Sequence, residues 1–93
     1  MENRKRAVIR FSGRVQGVGF RFTVVHLASN YEVTGYVRNE MDGSVEVCAE
    51  GGENEIQHFV QAIKDSPVGR FIFNQSVRWD KATGEFTGFT VRY

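Results

Sequence analysis

Residues 6–31 read RAVIRFSGRVQGVGFRFTVVHLASNY, and three patterns follow one another in that stretch. From Arg6 to Ser12, the side chains Ala7, Ile9 and Phe11 alternate with Val8, Arg10 and Ser12, the period of a strand with one buried face. Gly13 to Gly19 carries three glycines in seven residues, the composition of a turn or a binding loop. Val24, Leu27, Ala28 and Tyr31 then fall at i, i+3, i+4 and i+7, the stripe of an amphipathic helix. Strand, glycine loop and helix in direct succession make the first unit of the fold.

Outward from this unit the same patterns recur. Val33 to Asn39 and Ser44 to Glu50 read as strands, the second with Val45, Val47 and Ala49 facing inward. The turn Glu40-Met41-Asp42-Gly43 between them makes a hairpin, because Asp-Gly tolerates positive φ. Asn54 with Gln57 resembles a capping box. Ile56, Phe59, Val60 and Ile63 form a second helical stripe that ends near Ser66-Pro67. Ile72 to Trp79 and Phe86 to Tyr93 read as the last strands, joined by a turn at Ala82-Thr83-Gly84. The order β-α-β-β-α-β plus a terminal strand predicts a two-layer α+β sandwich, its mostly antiparallel sheet carrying both helices on one face.

Ninety-three residues fit one domain, here residues 1–93, with nothing left for a second core. Eight Phe, three Tyr and one Trp supply bulky groups to fill it. Lys and Arg number 12 against 11 Asp and Glu, a net charge of +1 that gives no general attraction to nucleic acid or to an anionic membrane. The basic cluster Arg4-Lys5-Arg6 reads as a solvated end that keeps a sheet edge soluble, with an anion-attracting arm as the alternative. Cys48 is the single cysteine, so no intrachain disulfide is implied. No apolar run approaches a membrane span, and the N-terminal MENRKRAV has no signal-peptide core, which points to the cytoplasm.

A sandwich of this kind hosts enzymes, ligand sensors and RNA binders, so function must be read from the loops. His26 and His58 lie far apart, with no cysteine or carboxylate at metal-ligand spacing, so neither a zinc site nor any other metal or cofactor is expected. Cys48 points opposite to Val45 and Val47 and has no histidine beside it, the setting of a packed residue rather than a nucleophile. The glycine loop lacks the Gly-Lys-Ser/Thr of a Walker loop, and Phe22 stands where a dinucleotide fingerprint wants glycine. What the loop can do is converge backbone N–H groups on one point at a helix N-terminus, with Arg21 at its mouth able to fork two bonds onto an anion. It is either a phosphate or carboxylate cradle, or a structural turn whose arginine pairs with a surface acid. Asn39, closing its strand before the hairpin, reads on its own as a turn former.

Taken together, these segments resemble the acylphosphatase family. Gly13-Arg-Val-Gln-Gly-Val-Gly-Phe-Arg21 is similar to its signature loop, Gly35-Tyr-Val-Arg-Asn39 followed by Asp42-Gly-Ser-Val-Glu46 to its second signature, and Gly88-Phe-Thr-Val-Arg-Tyr93 to its C-terminus. The resemblance implies a ferredoxin-like sandwich and metal-free hydrolysis of the carboxyl–phosphate bond of acyl phosphates. It also implies the site. The amides of Val15, Gln16, Gly17, Val18, Gly19 and Phe20, with Arg21, would hold the phosphate, and Asn39 would position the attacking water. Inorganic phosphate or sulfate would compete with the small-molecule substrate. Tyr36, where tryptophan is common, the pair Glu40-Met41 and the stretch Gly69 to Phe73 depart from the family pattern.

Two other functions fit the same elements. One is a non-catalytic anion-binding or regulatory module, against which the pairing of Arg21 with Asn39 speaks. The resemblance extends also to the domain that begins the much longer carbamoyl-phosphate-using hydrogenase maturation proteins. The other is RNA binding, which would need rings on the outer face of the third strand, where Ser44 to Glu50 presents acids. Nothing in the sequence demands more than a monomer.

Overall fold

The structure, a computed structural model, describes residues 3–93; the first two residues of the MENRKRAV stretch lie outside them. Its elements are β1 (Arg4–Gly13), α1 (Phe20–Ala28), β2 (Val33–Asn39), β3 (Val45–Gly52), α2 (Glu53–Asp65), a 3-10 turn (Pro67–Phe71), β4 (Ile72–Lys81) and β5 (Phe89–Val91). One five-stranded sheet runs β4-β1-β3-β2-β5, antiparallel except where β5 joins β2. Both helices cover one face, α1 over β2 and β5 and α2 over β1 and β3, in the ferredoxin-like arrangement.

The alternation read from the sequence sets which side chains meet. Ala7, Ile9 and Phe11 of β1 share the helix-side face with Val45, Val47 and Ala49 of β3 and Val37 of β2. Phe20, Val24 and Ala28 close over them from α1, and Ile56, Phe59 and Ile63 from α2. The Phe11 and Phe20 rings lie 5.5 Å apart, which seats the first residue of α1 directly on β1.

Three expectations are corrected. The last two strands are not joined by a simple turn at Ala82-Thr83-Gly84, because β4 and β5 lie at opposite edges of the sheet. The chain between them crosses the face away from the helices, and the last strand shortens to Phe89–Val91. The capping box is absent: Gly52 is the N-cap of α2, no side chain caps it, and Glu53 and Glu55 supply first-turn negative charge instead. The basic cluster does not lie on an edge, since β1 sits between β4 and β3. Lys5 pairs with Glu53, and Arg6 pairs with Glu50 and Glu85.

The crossing segment is clasped by a buried carboxylate. Glu50 is fully buried, and it accepts bonds from Arg6 Nε at 2.7 Å, the Thr83 amide at 2.9 Å and the Gly84 amide at 3.0 Å. Burial alone would push its carboxyl up. The Thr83 amide, the Arg6 guanidinium and the Gly84 amide outweigh burial and hold it below its ordinary 4.5. Cys48 on the neighbouring strand position is buried as well, and burial pushes its thiol up, away from nucleophile chemistry.

Glu50 thus contributes stability that is present in full above 4.5 and lost as the pH falls through the lower folded value. Glu50→Ala should lower the urea-unfolding free energy at pH 7 by about 3 kcal/mol, because it leaves Arg6 without its buried partner. The deficit should shrink below pH 4. A variant as stable as the parent at pH 7 would show that the clasp contributes nothing.

Candidate active site

The loop between β1 and α1 is built with its side chains turned away from its centre. Val15 is completely buried and Phe20 is 2% exposed, both in the core, while Val18 packs against that core. Gln16 donates its side-chain N–H groups to the carbonyls of Glu40 at 2.7 Å and Ser44 at 2.9 Å, tying the loop to the β2–β3 hairpin. Gly17 and Gly19 take φ of 79° and 80°, a left-handed backbone that a Cβ would strain although nothing crowds it. With side chains committed elsewhere, the surface offered at the centre of the loop is backbone.

That backbone leads into an uncapped helix. Gly19 is the N-cap of α1, no side chain bonds the first-turn amides, and no acidic residue lies in the first turn. The start of α1 therefore keeps its unpaired N–H groups and its positive dipole end. Arg21 adds a full charge there, and among the described residues no carboxylate comes within ion-pair distance of it. The reading of Arg21 as the partner of a surface acid is thus not met. Its guanidinium lies instead over the Tyr93 ring, 5.3 Å from the centroid.

Asn39 reaches the same end of the molecule along a different path. It ends β2 opposite Val45, on the helix-side face that Val37 occupies two residues earlier. β5 runs parallel to β2 with Val37 opposite Val91, and the Arg92 amide continues the ladder to the Val37 carbonyl at 2.9 Å. This register carries Tyr93 alongside Asn39. The chain order hides the junction: Arg21, Asn39 and Tyr93 come from a helix, a strand end and the chain beyond an edge strand. Tyr93 was legible only as part of a family-like ending, with no signal that Arg21 would rest on it.

The hairpin after Asn39 is fixed on the opposite face by a charged net. Arg38 bonds Glu40 at 2.7 Å and Glu46 at 3.0 Å, Arg10 reaches Glu46 at 3.3 Å and Asp42 at 3.4 Å, and Tyr36 donates to Glu46 at 2.8 Å. Burial and then the Glu46 bond push the Tyr36 phenol up to about 12, so it remains a donor at neutral pH. Here the departure from tryptophan has a structural use: the hydroxyl caps Glu46 within the net. Within the hairpin, the Glu40 amide donates to the Ser44 carbonyl at 2.8 Å and Asp42 accepts from the Ser44 amide at 2.9 Å.

His26 and His58 are both exposed, on separate helices. Among the described residues, no three His, Cys, Asp or Glu side chains gather as a metal site, and no helix is long and apolar enough to cross a membrane.

Known proteins share both the sequence and the shape. The profile of the acylphosphatase family matches residues 7–91. An acylphosphatase of Salinibacter ruber is 42% identical over 88 residues, covering 95% of this chain and 93% of that protein. The crystal structure of acylphosphatase from Bacillus subtilis superposes with a TM-score of 0.85 at 39% identity, over 96% of this chain and 99% of that one. Full-length HypF in its phosphate- and nucleotide-bound form contains a similar unit, with a TM-score of 0.89 and 30% identity over 100% of this chain and 12% of that one.

Proposed function

The chain belongs to the acylphosphatase family and is a hydrolase of small acyl phosphates; we propose that it works without a metal, binding phosphate on the amides of Val15 to Phe20 with Arg21 and positioning the attacking water with Asn39. The observation that carries this assignment is the uncapped, acid-free start of α1 beside an arginine with no carboxylate partner among the described residues. In this reading residues 1–93 act as one monomeric cytoplasmic domain, and inorganic phosphate or sulfate competes with the substrate for the cradle.

The chemistry explains why so few groups suffice. Phosphoryl transfer spreads charge over three equatorial oxygens, so positioned donors supply most of the stabilisation. An acyl phosphate expels a carboxylate whose conjugate acid has a pKa of roughly 4, so the leaving group needs no proton from a general acid. A phosphate oxygen of the substrate accepts the proton of the attacking water. A phosphate ester, expelling an alkoxide, would need a general acid, a role that this reading gives to no side chain. Asn39 donates or accepts one bond to the water, while Arg21 meets the phosphate in the ground state and the charge that develops during transfer.

Benzoyl phosphate should be hydrolysed at full rate in EDTA, and activity that vanishes with chelator and returns with magnesium or zinc contradicts the metal-free route. Asn39→Ala should lower kcat by roughly a hundredfold with a smaller change in KM, the usual loss for one transition-state donor. A folded variant that keeps most of its turnover would make Asn39 a turn former. Arg21→Lys keeps the charge but loses the planar fork, so kcat/KM should fall roughly ten- to a hundredfold, one charge-assisted bond being worth about 1.5–3 kcal/mol. Wild-type kinetics in that variant would mean that charge alone matters there, and a much earlier urea midpoint would make Arg21 structural.

A further inference from the structure

β4 is an edge strand, bonded to β1 on one side only. From Asn74 to Lys81 it pairs with β1 without a bulge, and every residue from Phe73 onward is exposed. Its outer side therefore presents a row of backbone N–H and C=O groups. Such edges are ordinarily blunted by a proline, a bulge or a central lysine, and none of these stands between Asn74 and Asp80.

Apolar surface gathers on the same edge. Val77 and Trp79, opposite Ile9 and Ala7 of β1, lie on the helix-side face, and each is 40% exposed. With Gln75 they border a groove of about 300 Å³ against Gln57, Val60 and Gln61 of α2, and no charged side chain lines it. The other face of the strand carries Asn74, Ser76, Arg78 and Asp80. Among the described residues neither Arg78 nor Asp80 has an ion-pair partner.

This strand is complementary to itself. Residues directly opposite in an antiparallel pair share a face, so a two-fold pairing must be centred on one residue. Centred on Val77, the pairing engages all of Asn74 to Asp80. Val77 then meets the partner's Val77, Gln75 the partner's Trp79, Ser76 the partner's Arg78 and Asn74 the partner's Asp80. No like charges are opposed, whereas centring on Arg78 would set arginine against arginine. We propose that β4 pairs in this register with β4 of a second copy of the chain, joining two five-stranded sheets edge to edge. The neutral groove lets the two α2 helices approach across the junction without charge repulsion. β4 lies at the opposite edge from β5 and Tyr93, so each copy keeps its own site and one chain is still the catalytic unit.

Sedimentation velocity of the wild type, Val77→Lys and Asn74→Lys tests this over about 1 μM to 1 mM, where weak association is read. The wild type should rise from the mass of one chain toward that of two. Val77→Lys sets two ammonium groups against each other at the centre and should stay at one-chain mass throughout. Asn74→Lys places a lysine opposite the partner's Asp80 twice over, so Kd should tighten about two- to tenfold. Urea midpoints measured alongside identify a variant that has lost its fold. Asn74 is exposed and polar, so its variant decides the matter even if Val77→Lys does not fold. A wild type that stays at one-chain mass would leave the edge to a different strand and overturn the proposal. A folded Val77→Lys that associates like the wild type, or an Asn74→Lys that binds no tighter, would place the contact elsewhere and overturn it too.

Discussion

Val15 and Phe20 bury their side chains in the core at either end of a short loop, and the proposed phosphate cradle depends on that anchoring. A loop pinned by two apolar residues cannot turn its backbone inward without expelling them. Burying each is worth about 1.5–3 kcal/mol, more than the preference of a few amides for one orientation. Phe20 is also the first residue of α1 and packs its ring at a tilt against Phe11, so the helix start and the loop are fixed by the same contact. The glycines let the chain turn between the anchors, and Gln16 ties it to the hairpin that follows Asn39. Hydrophobic packing thereby sets the direction of polar groups that it does not touch.

The opposite face of the sheet serves the same end from a distance. Because β4 and β5 occupy opposite edges, the chain must cross the sheet to deliver Tyr93 beside Asn39. Glu50 fastens that crossing by its backbone, and Arg6 fastens it by the side chains of Thr83 and Glu85. β5 itself pairs through only three residues, so the clasp and the packing of Phe59 against Phe89, with centroids 5.3 Å apart, are what seat it. Buried charge is acceptable here because the Glu50 carboxylate is supplied with backbone amides as well as a guanidinium.

Much of this was legible in the sequence. Period-two alternation in Arg6 to Ser12 and the two helical stripes gave the elements and the core, since those patterns are the direct imprint of one-sided burial. The glycine loop marked a turn leading into a helix start, as the left-handed backbone at Gly17 and Gly19 bears out. Long-range pairing was not legible: nothing local tells Phe89 to run parallel to Gly35 instead of folding back on β4. For the same reason Arg6 looked like a solvated end, because its partners Glu50 and Glu85 are far along the chain. Asn54 looked like a cap because side-chain type alone does not say where the backbone turns helical. For Arg21 and Asn39, spacing left two readings each, and only the resemblance to a family attached roles to them.

The central claim is that the amides of Val15 to Phe20, with Arg21, form the phosphate site. Titrating inorganic phosphate into 15N-labelled protein while following backbone and side-chain amide resonances tests it most directly. The account predicts saturable shifts concentrated at Gln16 to Arg21 and at the Asn39 side chain, with the amides of Glu53 to Glu55 at the start of α2 unmoved. Shifts centred on α2, or a loop that stays silent while phosphate inhibits turnover, would contradict it.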